Sequence, residues 1–440
     1  MRAPIASRGV TAARTWNNRR MRCALIGLVV LSACGKVTST PSDGAIDDNT
    51  GPAMIAFTHQ LGDAKPVNTD LVAFQDGDGP WQVAAGTAGV YTTTVTSGRF
   101  GVMWACKRAS DGATFVNLGY YAVSDGKARY GTSFCVAATL PRVPISGAVA
   151  GAAMTDQIFI SDGVSSSQGP PASWSLQAAP GAGTLIGMRL TSSRPVGMLL
   201  QHVQYAASAT FSLDFGQQFF PAESDLTLDP TGGTPFMITS YLDETGGNHR
   251  IDVSTTAVNK YRVVPADRVG NGVSVLQTSG SAQNASRSIQ RAFKNPVAQT
   301  MTLPPAFLLS APPQVTATMP YPIIEVALPK RAGASYYQVD YSAFQTGKFE
   351  IWDAVYSAAW ADATPGSDLV SKLPDLSALP GWIADYGLGA AGTRSWSTTV
   401  ATGPGRLMPG SSAYAAGGVS SARIADGEES TTSTSSGAFP

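Results

Sequence analysis

Short runs that alternate β-branched or aromatic residues with small or polar ones recur along this 440-residue chain, and they constrain its fold more than any other feature. Runs such as 90–96 and 395–400 have the period of two that a half-buried strand requires, and Gly, Pro and Asp turns separate such runs. Between residues 53 and 400 we find no amphipathic helical pattern longer than about 12 residues. The sequence therefore predicts an all-β protein.

The composition supports the same class. Charged residues make up 14% of the chain, whereas roughly 25% is typical of globular proteins. Hydrophobic residues make up 43%, which is enough to build cores. We therefore expect three to four antiparallel β-sandwich modules in series, with Trp104, Trp174 and Trp396 buried in their cores.

The N-terminus has the pattern of an export signal. Arg19, Arg20 and Arg22 precede the apolar run 24–33, and residues 1–33 contain no acidic side chain. This run is about half the length of roughly 20 residues that a membrane-spanning helix needs. Such a signal can start at either Met1 or Met21. An exported protein of this kind is either secreted or anchored in a membrane, and the sequence leaves ordinary secretion open.

The other outcome depends on the sequence Leu31-Ser32-Ala33-Cys34-Gly35, which resembles the lipobox of bacterial lipoproteins. The resemblance implies cleavage before Cys34, a diacylglyceryl group on its sulfur and anchoring in a membrane. Gly35 in place of Asp implies delivery to the outer membrane of a Gram-negative bacterium. Whether the protein then faces outward or into the periplasm stays open.

Removal of residues 1–33 changes the charge balance. Six of the 30 basic residues lie in that stretch, so 24 basic side chains would face 30 acidic ones, a formal charge of −6. Binding to nucleic acid requires a cluster of basic side chains that contacts the phosphates. Because the mature chain is acidic overall, we do not expect it to bind nucleic acid. The string 387–392 matches the dinucleotide-binding fingerprint, but a β-prone run follows it where a helix is required, so it indicates a loop and the sequence implies no cofactor.

Two cysteines remain after Cys34, and both lie in strand-like contexts. In an exported protein, Cys106 and Cys135 most simply form one disulfide, with a pair of buried thiols as the alternative. A loop of about 30 residues closed in this way stabilises a fold by roughly 3 kcal/mol.

Changes in composition and turn signals divide the chain into segments. We expect the following organisation: a signal peptide over 1–33, a flexible tether over 34–52, a β-sandwich with the disulfide over 53–140, a second sandwich over 141–230, a β-rich module over 231–310, a third sandwich over 311–402 and a disordered tail over 403–440. In the first sandwich, 76–80 predicts a hairpin turn. In the β-rich module, the spacing of apolar residues over 281–294 fits neither a helix nor a strand well. The neighbouring strand-like runs favour a strand there.

Two of these segments resemble known modules. The run 145–151 and the turn 180–183 resemble the transthyretin-like, carboxypeptidase-regulatory-like modules of exported bacterial proteins. The runs 312–316, 323–328, 336–341 and 395–400 resemble a fibronectin type III-like sandwich. That family has a core Trp on its second strand, and this chain has Leu328 nearest that position instead. We therefore expect Trp352 or Trp360 to fill the core in its place. As a whole, the chain resembles the multi-domain β-sandwich surface lipoproteins of Gram-negative bacteria.

Few residues suggest chemistry. The three histidines His59, His202 and His249 are more than 40 residues apart, so the sequence shows no metal or triad motif. Asp76 and Asp78 form a weak calcium candidate because alternating Asp residues place oxygen ligands in calcium loops, although an Asp-Gly turn needs no ion.

Two functions remain open. The first is a non-enzymatic lipoprotein that is anchored by its lipid and presents its modules for binding a protein or a glycan, or for spacing, at the cell envelope. The second is a hydrolase of an envelope glycan, with two carboxylates from distant strands about 5 to 10 Å apart. A cleft that holds paired carboxylates flanked by exposed tryptophans would favour the hydrolase.

Overall fold

The computed structural model describes residues 51–60, 71–132, 135, 141–228, 234–282, 284–345, 348–389, 393–404 and 424–438. Twenty-nine strands dominate these residues, so the all-β prediction is confirmed. The predicted signal peptide and residues 34–50 of the predicted tether, Cys34 among them, lie outside the described residues. No helix in the described part of the chain is long and apolar enough to cross a membrane.

The first predicted segment contains β1 (Ala53–Gln60), β2 (Leu71–Asp76), β3 (Gln82–Val83), β4 (Gly86–Thr87), β5 (Val90–Val95), β6 (Arg99–Lys107), β7 (Thr114–Ala122) and β8 (Ala128–Thr132). The second contains β9 (Val143–Ala150), β10 (Gln157–Ser161), β11 (Ser166–Gly169), β12 (Ser173–Ala178), β13 (Gly181–Thr191), β14 (Arg194–Tyr205), β15 (Ala209–Asp214) and β16 (Ala222–Leu228).

The third contains β17 (Thr234–Leu242), β18 (Asn248–Ser254), β19 (Lys260–Val263), α1 (Ala266–Val269), β20 (Val273–Ala282), β21 (Ala285–Phe293) and β22 (Gln299–Met301). The last strands are β23 (Gln314–Ala317), β24 (Ile323–Pro329), β25 (Ala334–Gln345), β26 (Lys348–Ser357), β27 (Asp368–Lys372), β28 (Thr393–Thr402) and β29 (Glu429–Ala438), with α2 (Ala358–Ala363) after β26. Short 3₁₀ turns lie at Val123–Asp125, Phe215–Gln217 and Ala384–Tyr386.

A twelve-stranded sheet forms the centre of the molecule. Its strand order is β18-β17-β20-β21-β29-β28-β25-β26-β7-β6-β2-β3. The sheet therefore takes strands from the predicted first, third and fourth modules and from the predicted tail. Strand β21 lies within 281–294, which confirms a strand there rather than a helix.

The two faces of this sheet differ. The face that carries Val339, Tyr341 and Trp352, here called the core face, packs against the three-stranded sheet β23-β24-β27 in one large apolar cluster. The opposite face, here called the open face, carries Asp340 and Asp353 on the same two central strands, because successive side chains of a strand point to opposite sides.

Smaller sheets cover both ends of the large one. The sheet β4-β5-β1-β8 packs on the open face of β2 and β6 through a cluster that includes Phe57, Phe74 and Phe100. The sheet β19-β16-β22 packs on the core face of β17, β20 and β21 through a cluster that includes Met237 and Leu276. The centre of the open face, on β25, β26, β28 and β29, lies beside the end that the sheet β4-β5-β1-β8 covers.

The second segment has a core of its own. The sheets β11-β10-β13-β14 and β12-β9-β15 pack together around Ile145, Trp174 and Leu185, whereas β16 belongs to the sheet β19-β16-β22. A second cluster joins this sandwich to the third segment through Met188, Tyr241 and further apolar side chains.

The predicted tryptophan cores are largely confirmed. Trp174 and Trp396 are buried, and Trp104 is partly buried with its ring 5.0 Å from that of Phe57. Trp352 and Trp360 are both buried in the core-face cluster, as expected because Leu328 stands where the resembling family has its core Trp.

Two sequence expectations need correction. The predicted disordered tail 403–440 contains β29, which pairs with β21 on one side and β28 on the other; its residues 405–423, 439 and 440 lie outside the described residues. Ser and Thr side chains without apolar neighbours suggested disorder, but the backbone bonds of a central strand do not depend on apolar side chains. The sandwiches are also not purely antiparallel, because β1–β8, β9–β15, β16–β22 and β7–β26 are parallel pairs.

Candidate functional site

A cleft of about 590 Å³ opens beside the core face, between the β2–β6–β7 end of the large sheet and the sheet β23-β24-β27. Its lining is part aromatic and part polar. The aromatic members are Trp81, Tyr120, Tyr356 and Trp360. The polar members include Gln75, Asp78, Arg99, Lys372 and Asp375.

The aromatic rings pack against one another in a fixed arrangement. Tyr120 and Tyr356 stack almost in parallel at 4.5 Å between ring centroids. Trp81 meets Tyr120 edge-on at 6.1 Å, and Trp360 lies 5.2 Å from Tyr120 on another side. Trp81 is the least buried of these rings, because Tyr120, Tyr356 and Trp360 are each less than 10% exposed. Trp81 is thus the ring best placed to meet a ligand.

Buried phenols form the floor, and they stay neutral at physiological pH. Burial raises the pKa of Tyr356 to about 12, against hydrogen bonds that lower it. Its hydroxyl donates to Ser371 Oγ at 2.9 Å. Burial also raises the pKa of Tyr120, and the neighbouring Tyr356 adds to that effect.

Arg99 and Asp78 form an ion pair at the mouth of the cleft. Arg99 Nη2 donates to Asp78 Oδ2 at 2.8 Å, and the guanidinium carbon lies 4.7 Å from the ring centroid of Trp360. Lys372 Nζ lies 3.6 Å from Glu325 Oε2. The cleft thus carries paired charges and no large excess of either sign. Exposed apolar side chains, Met319 and Val370, stand at its rim.

The turn 76–80 carries Asp78 of the cleft lining, and Trp81 of the same lining follows it directly. Strands β2 and β3 pair in antiparallel fashion around it, which confirms the predicted hairpin. Asp76 accepts hydrogen bonds from the backbone N–H and the hydroxyl of both Thr96 and Ser97. Partial burial opposes ionisation of Asp76, but these bonds outweigh it and lower its pKa to about 2.

The weak calcium hypothesis for Asp76 and Asp78 gains no support from this geometry. The two carboxylates are directed at different partners, Asp76 at the 96–97 turn and Asp78 at Arg99. Among the described residues, no group of three or more His, Cys, Asp or Glu side chains is arranged to hold a metal ion.

The predicted disulfide between Cys106 and Cys135 is present, with the two Cα atoms 6.0 Å apart. It ties strand β6 to the segment that follows β8. Ala113 and Phe115 pack around it with Ile351, so the bridge lies beside the open face.

The histidines do not meet. His59 lies on β1, and His202 on β14 has Nδ1 3.4 Å from Thr184 Oγ1, as expected for a strand residue with a partner. His249 on β18 is fully buried, with Nε2 3.3 Å from Asp243 Oδ2. That carboxylate also accepts hydrogen bonds from Thr245 and Gly247, so the pair belongs to a closed turn.

A pair of carboxylates that the sequence analysis missed lies on the open face. Asp340 on β25 and Asp353 on β26 are directly opposite in the antiparallel register. Burial raises the pKa of Asp340, and it raises that of Asp353 further because the charge of Asp340 adds to it. Tyr356 and Ala354 line the core face of the same strand, so this pair lies on the other side of the sheet from the cleft.

No protein-family model and no curated protein matches the chain. Solved structures align with it at low similarity. They include a streptococcal ancillary pilin (8% identity, 58% of this chain and 100% of that chain, TM-score 0.14), a tetra-tandem repeat in the extending region of a large adhesion protein (10%, 88% and 100%, 0.14) and the Bacillus anthracis TIE protein (8%, 81% and 70%, 0.15). At these TM-scores the likenesses carry no argument about function.

Proposed function

We propose that this protein is exported, anchored in the cell envelope by a lipid on Cys34, and binds a neutral glycan in the cleft without cleaving it. The observation that carries the proposal is the cleft itself, in which a partly exposed Trp81 stands beside the Arg99–Asp78 pair. Its volume of about 590 Å³ falls in the range of small-molecule sites.

The chemistry of the lining favours a sugar. A pyranose ring has an apolar C–H face that packs on an aromatic ring and an edge of hydroxyls that both donate and accept hydrogen bonds. Trp81 offers the first kind of surface, and Arg99 and Asp78 offer the second. Because the cleft charges are paired, the lining favours a neutral ligand over a strongly charged one.

The positions of the carboxylates favour binding over hydrolysis. Glycoside cleavage uses two carboxyl groups that flank the bond to be cleaved. In the cleft, Asp78 is paired with Arg99, and Asp375 accepts hydrogen bonds from the N–H and hydroxyl of Ser377 in its own turn. The carboxylate pair with raised pKa values lies on the opposite face of the sheet.

Calorimetric titration of the purified mature protein with neutral oligomers of glucose and of N-acetylglucosamine tests the ligand class. We expect Trp81→Ala to weaken binding at least tenfold. Phe220→Ala is the matched control, because Phe220 is an exposed aromatic residue outside the cleft lining, and it should bind like the unmodified protein. Equal affinity of Trp81→Ala, or no binding by any neutral oligomer, contradicts the proposal. Release of shorter oligomers during incubation supports the hydrolase instead.

The anchor is tested separately. Cells labelled with palmitate should incorporate the label into the protein, and Cys34→Ser should lose both the label and recovery in the membrane fraction. Cys23→Ser is the matched control, because Cys23 lies within the predicted signal, and it should behave like the unmodified protein. Equal membrane recovery of Cys34→Ser would show that the lipid anchor is wrong.

A further inference from the structure

A row of polar side chains crosses four strands at the centre of the open face. Ser397 on β28, Asp340 on β25, Asp353 on β26 and Asn117 on β7 are neighbours in register, so their side chains project from the same face. Gln338 lies two residues from Asp340 on the same side of β25. Every member of this set carries at least one oxygen atom.

The two carboxylates lack a basic partner. The ion pairs of the described residues include neither Asp340 nor Asp353. Asp340 accepts hydrogen bonds from Gln338 Nε2 and from Ser397 Oγ, both at 2.9 Å. Two adjacent half-buried carboxylates without a cation must share a proton or bind a positive ion, because like charges in a low-dielectric site repel.

Polar atoms beside the pair are also without partners. Asn117 is only 6% exposed, and its Nδ2 atom is buried without a hydrogen-bond partner in the described structure. Asp353 Oδ1 is likewise buried and unpartnered. A buried polar atom left without a partner costs about 1–3 kcal/mol. A cation at this point would satisfy Asp353 Oδ1 directly, and Asn117 through its amide oxygen once the amide is turned.

The donor set indicates the kind of ligand. Carboxylate, amide and hydroxyl oxygens are hard ligands, and a flexible set of them suits Ca²⁺ rather than a transition metal, which prefers imidazole or thiolate. The amides of Asn117 and Gln338 can each turn their oxygen in place of their nitrogen toward the pair with little change of shape, and Gln338 then gives up its hydrogen bond to Asp340.

We propose that this row binds a calcium ion between Asp340 and Asp353, with the amide oxygens of Asn117 and Gln338 completing the protein ligands. The ion takes the place of the shared proton, which leaves to solvent. It links β25 and β26 to β7, the parallel neighbour of β26, and thereby fastens the first segment to the fourth.

Terbium luminescence and calcium-dependent thermal unfolding of the chelator-treated mature protein test the site. Terbium should show luminescence sensitised through nearby aromatic residues, and Ca²⁺ should displace it with a Kd of about 0.1 to 1 mM, the range of extracellular calcium modules. Ca²⁺ should also raise the unfolding temperature, and Mg²⁺ at equal concentration should raise it less because Mg²⁺ needs stricter octahedral geometry. No terbium signal, or a larger shift with Mg²⁺, overturns the calcium assignment.

Variants locate the ion. The double variant Asp340→Asn/Asp353→Asn preserves shape and should lose both the luminescence and the calcium-dependent shift, and Asn117→Ala should weaken calcium binding about tenfold. Asp225→Asn is the matched control, because Asp225 is an exposed carboxylate on β16, and it should respond like the unmodified protein. An unchanged calcium response in the double variant overturns the proposal. If the double variant does not fold, the calcium titration of Asn117→Ala is the test instead. An unchanged Kd for calcium in Asn117→Ala then overturns the proposal.

Discussion

Buried carboxylates in this protein occur in two opposite electrostatic settings. Asp243 and Asp252 are fully buried, and each is surrounded by donors; Asp252 accepts from the guanidinium of Arg194 at 3.0 and 2.5 Å. Asp340 and Asp353 instead lie side by side without a basic partner among the described residues. Donors favour the charged form, and burial and neighbouring negative charge disfavour it, so the pKa of Asp243 is lowered and the pKa values of Asp340 and Asp353 are raised.

Asp243 tests the first setting. Burial opposes its ionisation, but hydrogen bonds from His249, Thr245 and Gly247 outweigh burial and lower its pKa to about 2. The stability it contributes is therefore present above the unfolded pKa near 4 and is lost as the pH falls toward 2. We expect Asp243→Asn to reduce the free energy of unfolding by about 2 kcal/mol at pH 7 and by much less near pH 2. Urea unfolding at both pH values measures this, and a difference independent of pH would contradict it.

The pair Asp340 and Asp353 tests the second setting. Burial raises the pKa of both carboxyls, and the charge of Asp340 raises that of Asp353 further. The folded state therefore holds more protons than the unfolded state above pH 4, and stability is lost as the pH rises. In the presence of a chelator, Asp340→Asn/Asp353→Asn should therefore be more stable than the unmodified protein at pH 7 by about 1–2 kcal/mol. Near pH 3 the two proteins should be equally stable. A less stable double variant at pH 7 would show that the pair is not strained.

At the scale of elements, β29 has the largest effect on the architecture. Its 10 residues are mostly Ser and Thr, yet it lies between β21 and β28 in the middle of the large sheet. Its side chains form hydroxyl pairs across both neighbours, Thr432 with Ser288 at 2.6 Å and Thr434 with Thr399 at 2.8 Å. Without β29, two inner strands would become open edges.

Ser433 provides the test of this strand. It is 1% exposed, and its Oγ accepts the backbone N–H of Phe307 at 2.7 Å. Ser433→Pro removes a ladder donor from a central strand and should cost about 3 kcal/mol or more of the free energy of unfolding. Ser433→Ala keeps the backbone and should cost only about 1–2 kcal/mol. Chemical denaturation of both variants compares them, and equal losses would mean that β29 is not held by its backbone.

At the scale of the whole molecule, the twelve-stranded sheet couples segments that are distant in sequence. Strands β7 and β26 are parallel neighbours, with Asn117 opposite Asp353, although more than 200 residues separate them. The hydrogen bonds of this pair therefore connect the first segment to the fourth within one sheet. The second segment has a separate core around Trp174 and contributes no strand to the twelve-stranded sheet. The sheet therefore couples the first, third and fourth segments and β29 most strongly.

Removal of the disulfide measures this coupling. Cys106→Ser/Cys135→Ser releases a loop that spans 29 residues and should reduce the free energy of unfolding by about 3 kcal/mol. Because β6 belongs to the large sheet, we expect calorimetry to show the main unfolding transition moving to lower temperature as a whole. A shift confined to a small separate transition would mean that the first segment unfolds independently.

Much of the strand content could be read from the sequence because local patterns determine it. Alternation of apolar and polar residues predicted the strands, Asp76-Gly77 predicted the hairpin, and an exported context predicted the bond between Cys106 and Cys135. The tryptophans inside alternating runs were expected in cores for the same reason. Each of these features depends on residues that are close in sequence or on a single pairing.

The cleft, the carboxylate row and the place of β29 were decided by the tertiary structure alone. Trp81 and Trp360 meet the same cleft from distant parts of the chain, and Asn117 reaches Asp353 through a parallel pairing that no local pattern encodes. The Ser/Thr run of β29 has no apolar period, so only its two neighbouring strands make it ordered. Side-chain period reports which residues are buried, whereas the pairing of distant strands depends on backbone hydrogen bonds that are the same for every sequence.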